Sequence, residues 1–124
     1  MQLTLERPDH DFVLRGADGQ AALVNQRRLT SSFVLAPDTL IEDWPARDAR
    51  ALDIQQLQPV LDLQPEVILL GSGATQVFPP MEVMAACLCR GIGIEVMTNA
   101  AAARTFNVLA SENRRVVAGF ILPG

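Results

Sequence analysis

The stretch PEVILLGSGATQVFPPMEVMAACLCRGIGIEVMTNAAAARTFNVLASENRRVVAGFILPG, residues 65–124, decides the fold. Glu66 to Leu70 is a nearly continuous apolar run that ends at Gly71, the pattern of a strand buried on both faces. Pro79 and Pro80 then open a helix with proline at its first position, and Gly91 stops it. With Met84 at the centre of the helical wheel, Met81, Cys87 and Leu88 share its face and predict the side laid on a sheet, while Glu82 and Cys89 point away. Ile92 to Met97 reads as a second buried strand, Thr98 or Asn99 as the cap of a helix reaching about Glu112, and Arg114 to Leu122 as the closing strand. That order predicts a right-handed βαβαβ run of parallel strands. It brings Gly71, Ser72 and Gly73 to the same end as Thr98 and Asn99, where open α/β sheets form their crevices.

On the second helix Ala102, Ala103, Phe106, Leu109 and Ala110 form the predicted buried face, and the four alanines at 100 to 103 permit close approach to the covered layer. Upstream, Asp53 with Gln56 makes a capping box, and Ile54, Leu57 and Leu61 supply an apolar stripe; Pro59 predicts that this helix is short or kinked. Residues 2 to 44 read as short strands divided at 16 to 19, 25 to 28 and 36 to 38 by turn-forming residues, and alternation from Leu29 to Leu35 and from Thr39 to Trp44 predicts antiparallel pairing. The expected fold class is therefore α/β. A single compact domain spans residues 1–124, with a mixed sheet of antiparallel N-terminal strands and a C-terminal parallel run, and helices packed on the sheet.

Composition narrows the function classes. A chain of 124 residues buries roughly two thirds of its unfolded surface in one core. Its 49% hydrophobic and 19% charged content is that of a folded domain rather than a disordered one. The net charge of −4 and pI near 4.8 disfavour binding to a phosphate backbone, so nucleic acid is not expected as a partner. All ten basic residues are arginine, which excludes lysine Schiff-base and lysine general-base chemistry. The opening MQLTLERPDHDF lacks a basic and an apolar leader region, and no apolar stretch approaches the length of a membrane span. Cys87 and Cys89 point about 200° apart on a helix and cannot bond to each other there. Reduced thiols and the missing leader set the expectation of a cytoplasmic protein.

Each candidate site residue has a structural reading beside its functional one. Gly71, Ser72 and Gly73 form a loop whose amides could cradle an anion, or a tight turn needing positive φ. The loop is neither a dinucleotide fingerprint, since Gln76 stands where a third glycine belongs, nor a P-loop, which needs GlyLys followed by Ser or Thr. Thr98 and Asn99 open a helix whose positive end favours an anion, and Arg104, leaning back toward it, would reach a ligand held there; otherwise Arg104 is solvated or paired with Glu95 or Glu112. Asn107 and Phe106 read as structural, the amide bonding neighbouring backbone. Trp44 is a core lid or a partner-surface indole. His10, the one histidine, reads as a solvated turn residue, and without companions it cannot build a zinc site. Cys87 reads as a core thiol and Cys89 as exposed at a helix end that opposes a thiolate. No catalytic group, metal or cofactor is expected.

GlyIleGlyIleGluValMet at 91 to 97, ArgThrPheAsnValLeu at 104 to 109, the ending at 114 to 123, GluValIleLeuLeuGlySerGly at 66 to 73 and Trp44 together resemble a family of small single-domain proteins of unknown function. Its relatives include mitochondrial NADH dehydrogenase (complex I) assembly factor 3 and the adipogenesis-associated domain protein. The resemblance implies a compact α/β fold with a mixed sheet, and it attaches no activity, cofactor or substrate. Gly71, Gly73, Arg104, Thr105 and Asn107 match family-typical positions. The chain departs from the family pattern at 98 to 99, where ThrAsn replaces AspThr, and at Phe106, where tyrosine is usual. The first change removes a carboxylate from the helix start and the second a phenolic hydroxyl.

The expected function is a non-enzymatic cytoplasmic protein acting by contact with an unknown protein partner, as an assembly or maturation factor, itself a monomer or weak homodimer. The alternative is a binder of small anionic ligands, or an unrecognised enzyme, using Gly71, Ser72, Gly73, Thr98, Asn99 and Arg104.

Overall fold

The computed structural model describes residues 11–124. The expectations for His10 and for strand structure in residues 2–10 lie outside the described residues. Five short strands come first: β1 Leu14–Ala17, β2 Ala22–Val24, β3 Arg27–Leu29, β4 Ser31–Ala36 and β5 Thr39–Ile41. A 3-10 turn at Ala49–Ala51 leads to α1, Ile54–Leu61. Then follow β6 Val67–Gly71, α2 Met81–Leu88, β7 Gly93–Met97, α3 Asn99–Ser111 and β8 Val116–Pro123.

The strands form two sheets. β1, β2 and β3 make a small antiparallel meander, and the larger sheet runs β5-β4-β8-β6-β7. β6 pairs in parallel with β7 on one side and β8 on the other, while β4 pairs antiparallel with β8 and β5 antiparallel with β4. Because the chain steps from β6 outward to β7 and then back across β6 to β8, crossovers of one hand must place α2 and α3 on opposite faces. The core divides accordingly. Val67, Leu69, Ala118 and Phe120 turn toward α3 and the small meander, whereas Ile68, Leu70, Val117 and Ile121 turn toward α1, α2 and Trp44. The alternation read in β4 thus sorts its residues between two cores rather than between core and water. Phe33 faces α3 and stacks on Phe120 with ring centres 4.9 Å apart, while Val34 faces Trp44.

Local chemistry explains the element ends. Asp53 caps α1 through the Gln56 amide at 2.7 Å, and the Gln56 side chain returns to the Asp53 amide, completing the expected box. With Pro59 inside it, α1 spans eight residues. Each helix ends on a left-handed residue, Gln64, Gly91 and Asn113, with φ of 57°, 72° and 59°. Pro80 sits one place earlier than expected, as the extended residue before Met81.

Two faces differ from the sequence reading. In α1 the buried residues are Leu57, Val60 and Leu61, and Ile54 is 44% exposed. In α2 they are Val83 and Cys87, while Met81 and Leu88 are 83% and 64% exposed. The cause is composition: α2 is apolar nearly all round, so periodicity alone cannot choose which side meets the sheet.

Asn107 ties the meander to α3. Its side-chain oxygen accepts the Leu14 N–H at 3.0 Å, and its amide nitrogen donates to the Leu14 carbonyl at 2.6 Å, so the side chain acts as a substitute strand for β1. Asn107→Ala is expected to cost about 1–3 kcal/mol by leaving both groups unpaired. Faster hydrogen exchange at the Leu14 amide, with the β6 amides unchanged, checks it.

Candidate functional site

The loops leaving the C-terminal ends of β6 and β7 diverge to opposite faces of the sheet, which makes their junction the topological switch point. Gly71, Ser72, Gly73, Thr98 and Asn99 meet there. The Ser72 amide donates to the Met97 carbonyl at 2.9 Å, and the Asn99 amide donates to the Gly73 carbonyl at 2.9 Å. Thr98 is the helix cap, its hydroxyl accepting the Ala101 N–H at 3.2 Å.

Asn99 fills the junction. The side chain is fully buried; its oxygen accepts the Gly73 N–H at 3.1 Å, and its nitrogen donates to the carbonyls of Asp18 at 2.9 Å and Ile121 at 3.0 Å. One amide therefore joins the β6 loop, strand β8 and the β1–β2 turn. The two glycines are there for different reasons. Gly73 has φ of +111° and open space around it, so backbone conformation selects it. A Cβ at Gly71 would run into the Asn99 side-chain oxygen and lie 3.0 Å from the Phe120 ring, so close packing selects it.

The β1–β2 turn lies against this loop. A Cβ on Gly19 would stand 2.7 Å from that of Ala74, so only glycine allows the turn so near. Asp18 shapes the turn by accepting the amides of Gln20 at 2.8 Å and Ala21 at 2.9 Å, which hold its carboxyl below the usual range. Neither Asp18 nor Gly19 was legible as part of the junction, because each lies some eighty residues from Asn99 in the chain; AspGly marked only a turn.

Ser72 is equally occupied. Its hydroxyl donates to the Thr75 carbonyl at 2.7 Å and accepts the Val77 amide at 2.9 Å, closing the loop on itself. The Gln76 side chain bonds the Val96 carbonyl at 2.8 Å on the free edge of β7. The amides of Ser72 and Gly73 that an anion would use already have partners. Arg104 is exposed on the side of α3 away from the buried Phe106 and, among the described residues, forms no ion pair with Glu95 or Glu112.

Trp44 is buried in the core. It is 2% exposed, and its indole N–H donates to the Gln56 carbonyl at 2.7 Å while the ring covers Gly119. Asp43, just before Trp44 and two residues past the end of β5, is left-handed with φ of 58°. Burial pushes the Cys87 thiol above its ordinary value, as befits an inert core residue, and Cys89 is exposed. Among the described residues no group of three or more His, Cys, Asp or Glu side chains could hold a metal ion.

Clefts open elsewhere. One of about 250 Å3 is lined by Asp11, Asp38, Arg114 and Arg115. Arg115 donates to Asp38 at 2.8 Å and holds that carboxyl below its ordinary 3.8. A depressed folded value means the contribution is present above the unfolded pKa and is lost as pH falls through the folded one. Asp38→Asn is accordingly expected to flatten the acid side of a urea-midpoint against pH curve below about pH 4, by a small amount because the pair is exposed. An unchanged acid limb would show that other carboxylates set it. Two further clefts lie on the meander beside Leu23 and between α1 and α2.

Fold and junction together define a small α/β domain whose switch-point crevice is occupied by its own asparagine. The chain belongs to the DUF498/DUF598 family of proteins of unknown function, whose pattern matches residues 15–121. It is similar to the NMR structure of a Xanthomonas campestris protein, at 54% identity and a TM-score of 0.85 over 100% of this chain and 94% of that one. It is 33% identical over 69 residues to the 13 kDa major membrane protein of Francisella tularensis subsp. holarctica (strain LVS), covering 56% of each. It is 29% identical over 102 residues to NADH dehydrogenase [ubiquinone] 1 alpha subcomplex assembly factor 3 of Danio rerio, covering 81% of this chain and 58% of that one. The chain thus spans little more than half the length of these two relatives. No helix among the described residues is long and apolar enough to cross a membrane.

Proposed function

We propose that this chain acts by protein contact in the cytoplasm, as an accessory factor in the assembly or maturation of a larger complex, and not by catalysis. The observation that carries this reading is Asn99: where an open α/β sheet would hold a ligand, the crevice is filled by a side chain with all of its bonding capacity toward backbone nearly used. Similarity to the Danio rerio assembly factor supports the same class of role. The second reading, a binder of small anions at the helix start, draws on Arg104, which is exposed and in no ion pair among the described residues. Thermal-shift measurements with nucleotides, sugar phosphates and carboxylates separate the two. The expected result is no stabilisation by any of them; stabilisation that disappears in Arg104→Ala would replace the contact reading with the ligand one.

A further inference from the structure

We propose that the free edge of β7 takes an extended segment of a partner protein as an added strand of the larger sheet, with an apolar residue opposite Ile94, a lysine or arginine opposite Glu95 and an apolar residue opposite Val96. The inference rests on the contact reading and gives it a place and a chemistry. β7 ends the sheet, since among the described residues it pairs with β6 and with no other strand. The Ser72 amide reaches the Met97 carbonyl from the β6 side, which fixes the direction of the β7 backbone. Backbone groups alternate sides along a strand, so those of Gly93, Glu95 and Met97 face β6 and those of Ile94 and Val96 face outward. The Gln76 side chain agrees with this, its amide nitrogen donating to the outward Val96 carbonyl at 2.8 Å. An exposed glutamine thus stands where the N–H of a neighbouring strand would stand. The Ile94 N–H, the Ile94 carbonyl and the Val96 N–H have no partner among the described residues.

The other strand edges are shorter or closed. β3 and β5 have three residues each, and the Asn107 amide occupies the Leu14 backbone of β1, whereas β7 has five residues. What β7 offers outward is an alternation of backbone donors and acceptors, which only another extended backbone matches group for group, as in strand addition. Charge and register decide between a partner and a second copy. A two-fold antiparallel pairing of β7 with itself that uses the outward groups of both Ile94 and Val96 is centred on Glu95, and sets that carboxylate directly against its own copy. Shifted one way, Val96 meets Ile92, whose N–H already goes to the Cys87 carbonyl at 3.0 Å. Shifted the other way, Ile94 meets Thr98, whose carbonyl already accepts the Ala102 N–H at 2.8 Å. Glu95 is exposed and in no ion pair among the described residues, so a cation across from it adds attraction where a second copy adds repulsion. The Ile94 and Val96 side chains turn toward the α2 face, and apolar residues opposite them extend that core at its rim.

The test titrates three peptides into the full chain: alternating Val/Lys, alternating Val/Glu, and the Val/Lys peptide N-methylated at its valines, which keeps the charge and removes the N–H groups that would face β7. Binding is followed by peptide fluorescence anisotropy and by hydrogen exchange of the β7 amides. The Val/Lys peptide is expected to slow exchange at Ile94 and Val96, to bind about tenfold more tightly than the Val/Glu peptide, and to lose its binding on N-methylation. Glu95→Lys should reverse the charge preference, and Gln76→Ala, by freeing the Val96 carbonyl, should tighten binding about threefold. Both substitutions are at exposed positions and leave the core intact. Equal binding of the N-methylated peptide, preference for Val/Glu, no binding, or protection of Ile94 and Val96 that grows with protein concentration without peptide would overturn the proposal, the last in favour of self-association. Binding that leaves the Ile94 and Val96 amides unprotected sinks this edge and leaves the contact reading standing. Anion stabilisation lost in Arg104→Ala sinks the contact reading itself.

Discussion

Asn99→Leu is expected to destabilise the chain by about 3–4 kcal/mol, since it strands three backbone groups that water cannot easily reach. Leucine is close in size, so the loss comes from unpaired polar groups rather than from a void: the Gly73 N–H loses its acceptor, and the carbonyls of Asp18 and Ile121 lose their donor. Denaturant unfolding should show a lower midpoint, with exchange at the Gly73 amide accelerating first. Asn99→Asp sharpens the point. A carboxylate there would face two carbonyl oxygens inside the protein, which disfavours its charged form and raises its folded pKa. By linkage this variant should gain stability, relative to the parent chain, as pH is lowered through that raised value, and lose it as pH rises. Equal pH dependence of variant and parent would mean that the site is open to water and that Asn99 is no plug.

The second large effect lies on the opposite face of the sheet. Trp44→Ala is expected to cost about 3–5 kcal/mol, the range for emptying a large aromatic site. Gly119→Ala, a change of one methyl group, should cost about 1–3 kcal/mol, because the added carbon would lie 2.7 Å from two carbons of the Trp44 ring. The ring is held by its N–H bond to Gln56 and cannot swing aside without breaking it. Gly119→Ala should therefore cost far less once Trp44 is alanine, giving a coupling of about 1 kcal/mol or more in a double-mutant cycle. Additive costs would show that something other than the indole excludes a side chain at Gly119.

These two positions also mark how far sequence reading reached. The strands β6 and β8 were legible because a strand buried on both faces is apolar along its length and ends on a turn signal, here Gly71 and Pro123; β7, read as a second buried strand, lies where expected before Thr98 but is the edge of the sheet, with Val96 buried and Glu95 exposed. The α1 capping box was legible because Asp53 and Gln56 are three residues apart and bond each other. Asn107 was placed correctly at the edge of a buried face, although its partner Leu14 could not be named from the chain. The convergence of Gly71, Ser72 and Gly73 with Thr98 and Asn99 followed from the βαβ order alone. That an asparagine would fill the meeting point did not, since its bonds run to Asp18 and Ile121, far away in sequence.

The faces of α2 failed for a different reason. A helix with apolar residues on every side leaves its orientation to whatever packs against it, and here Val83 and Cys87 meet the sheet while Met81 and Leu88 face outward. Trp44 was ambiguous because an indole serves a core and an interface equally well until its surroundings are known.

Order of elements, parallel pairing, helix caps and the two-sided burial of the central strands were determined by the sequence itself, because each depends on residues within a turn or on a period carried along one segment. The filling of the switch point by Asn99, the close approach of Gly19 to Ala74, the burial of Trp44 over Gly119 and the exposure of Met81 were decided only by the tertiary structure. Each of these arises from contacts between separate segments, whose distance and angle are set by how the two layers pack on the sheet and leave no local trace in the chain.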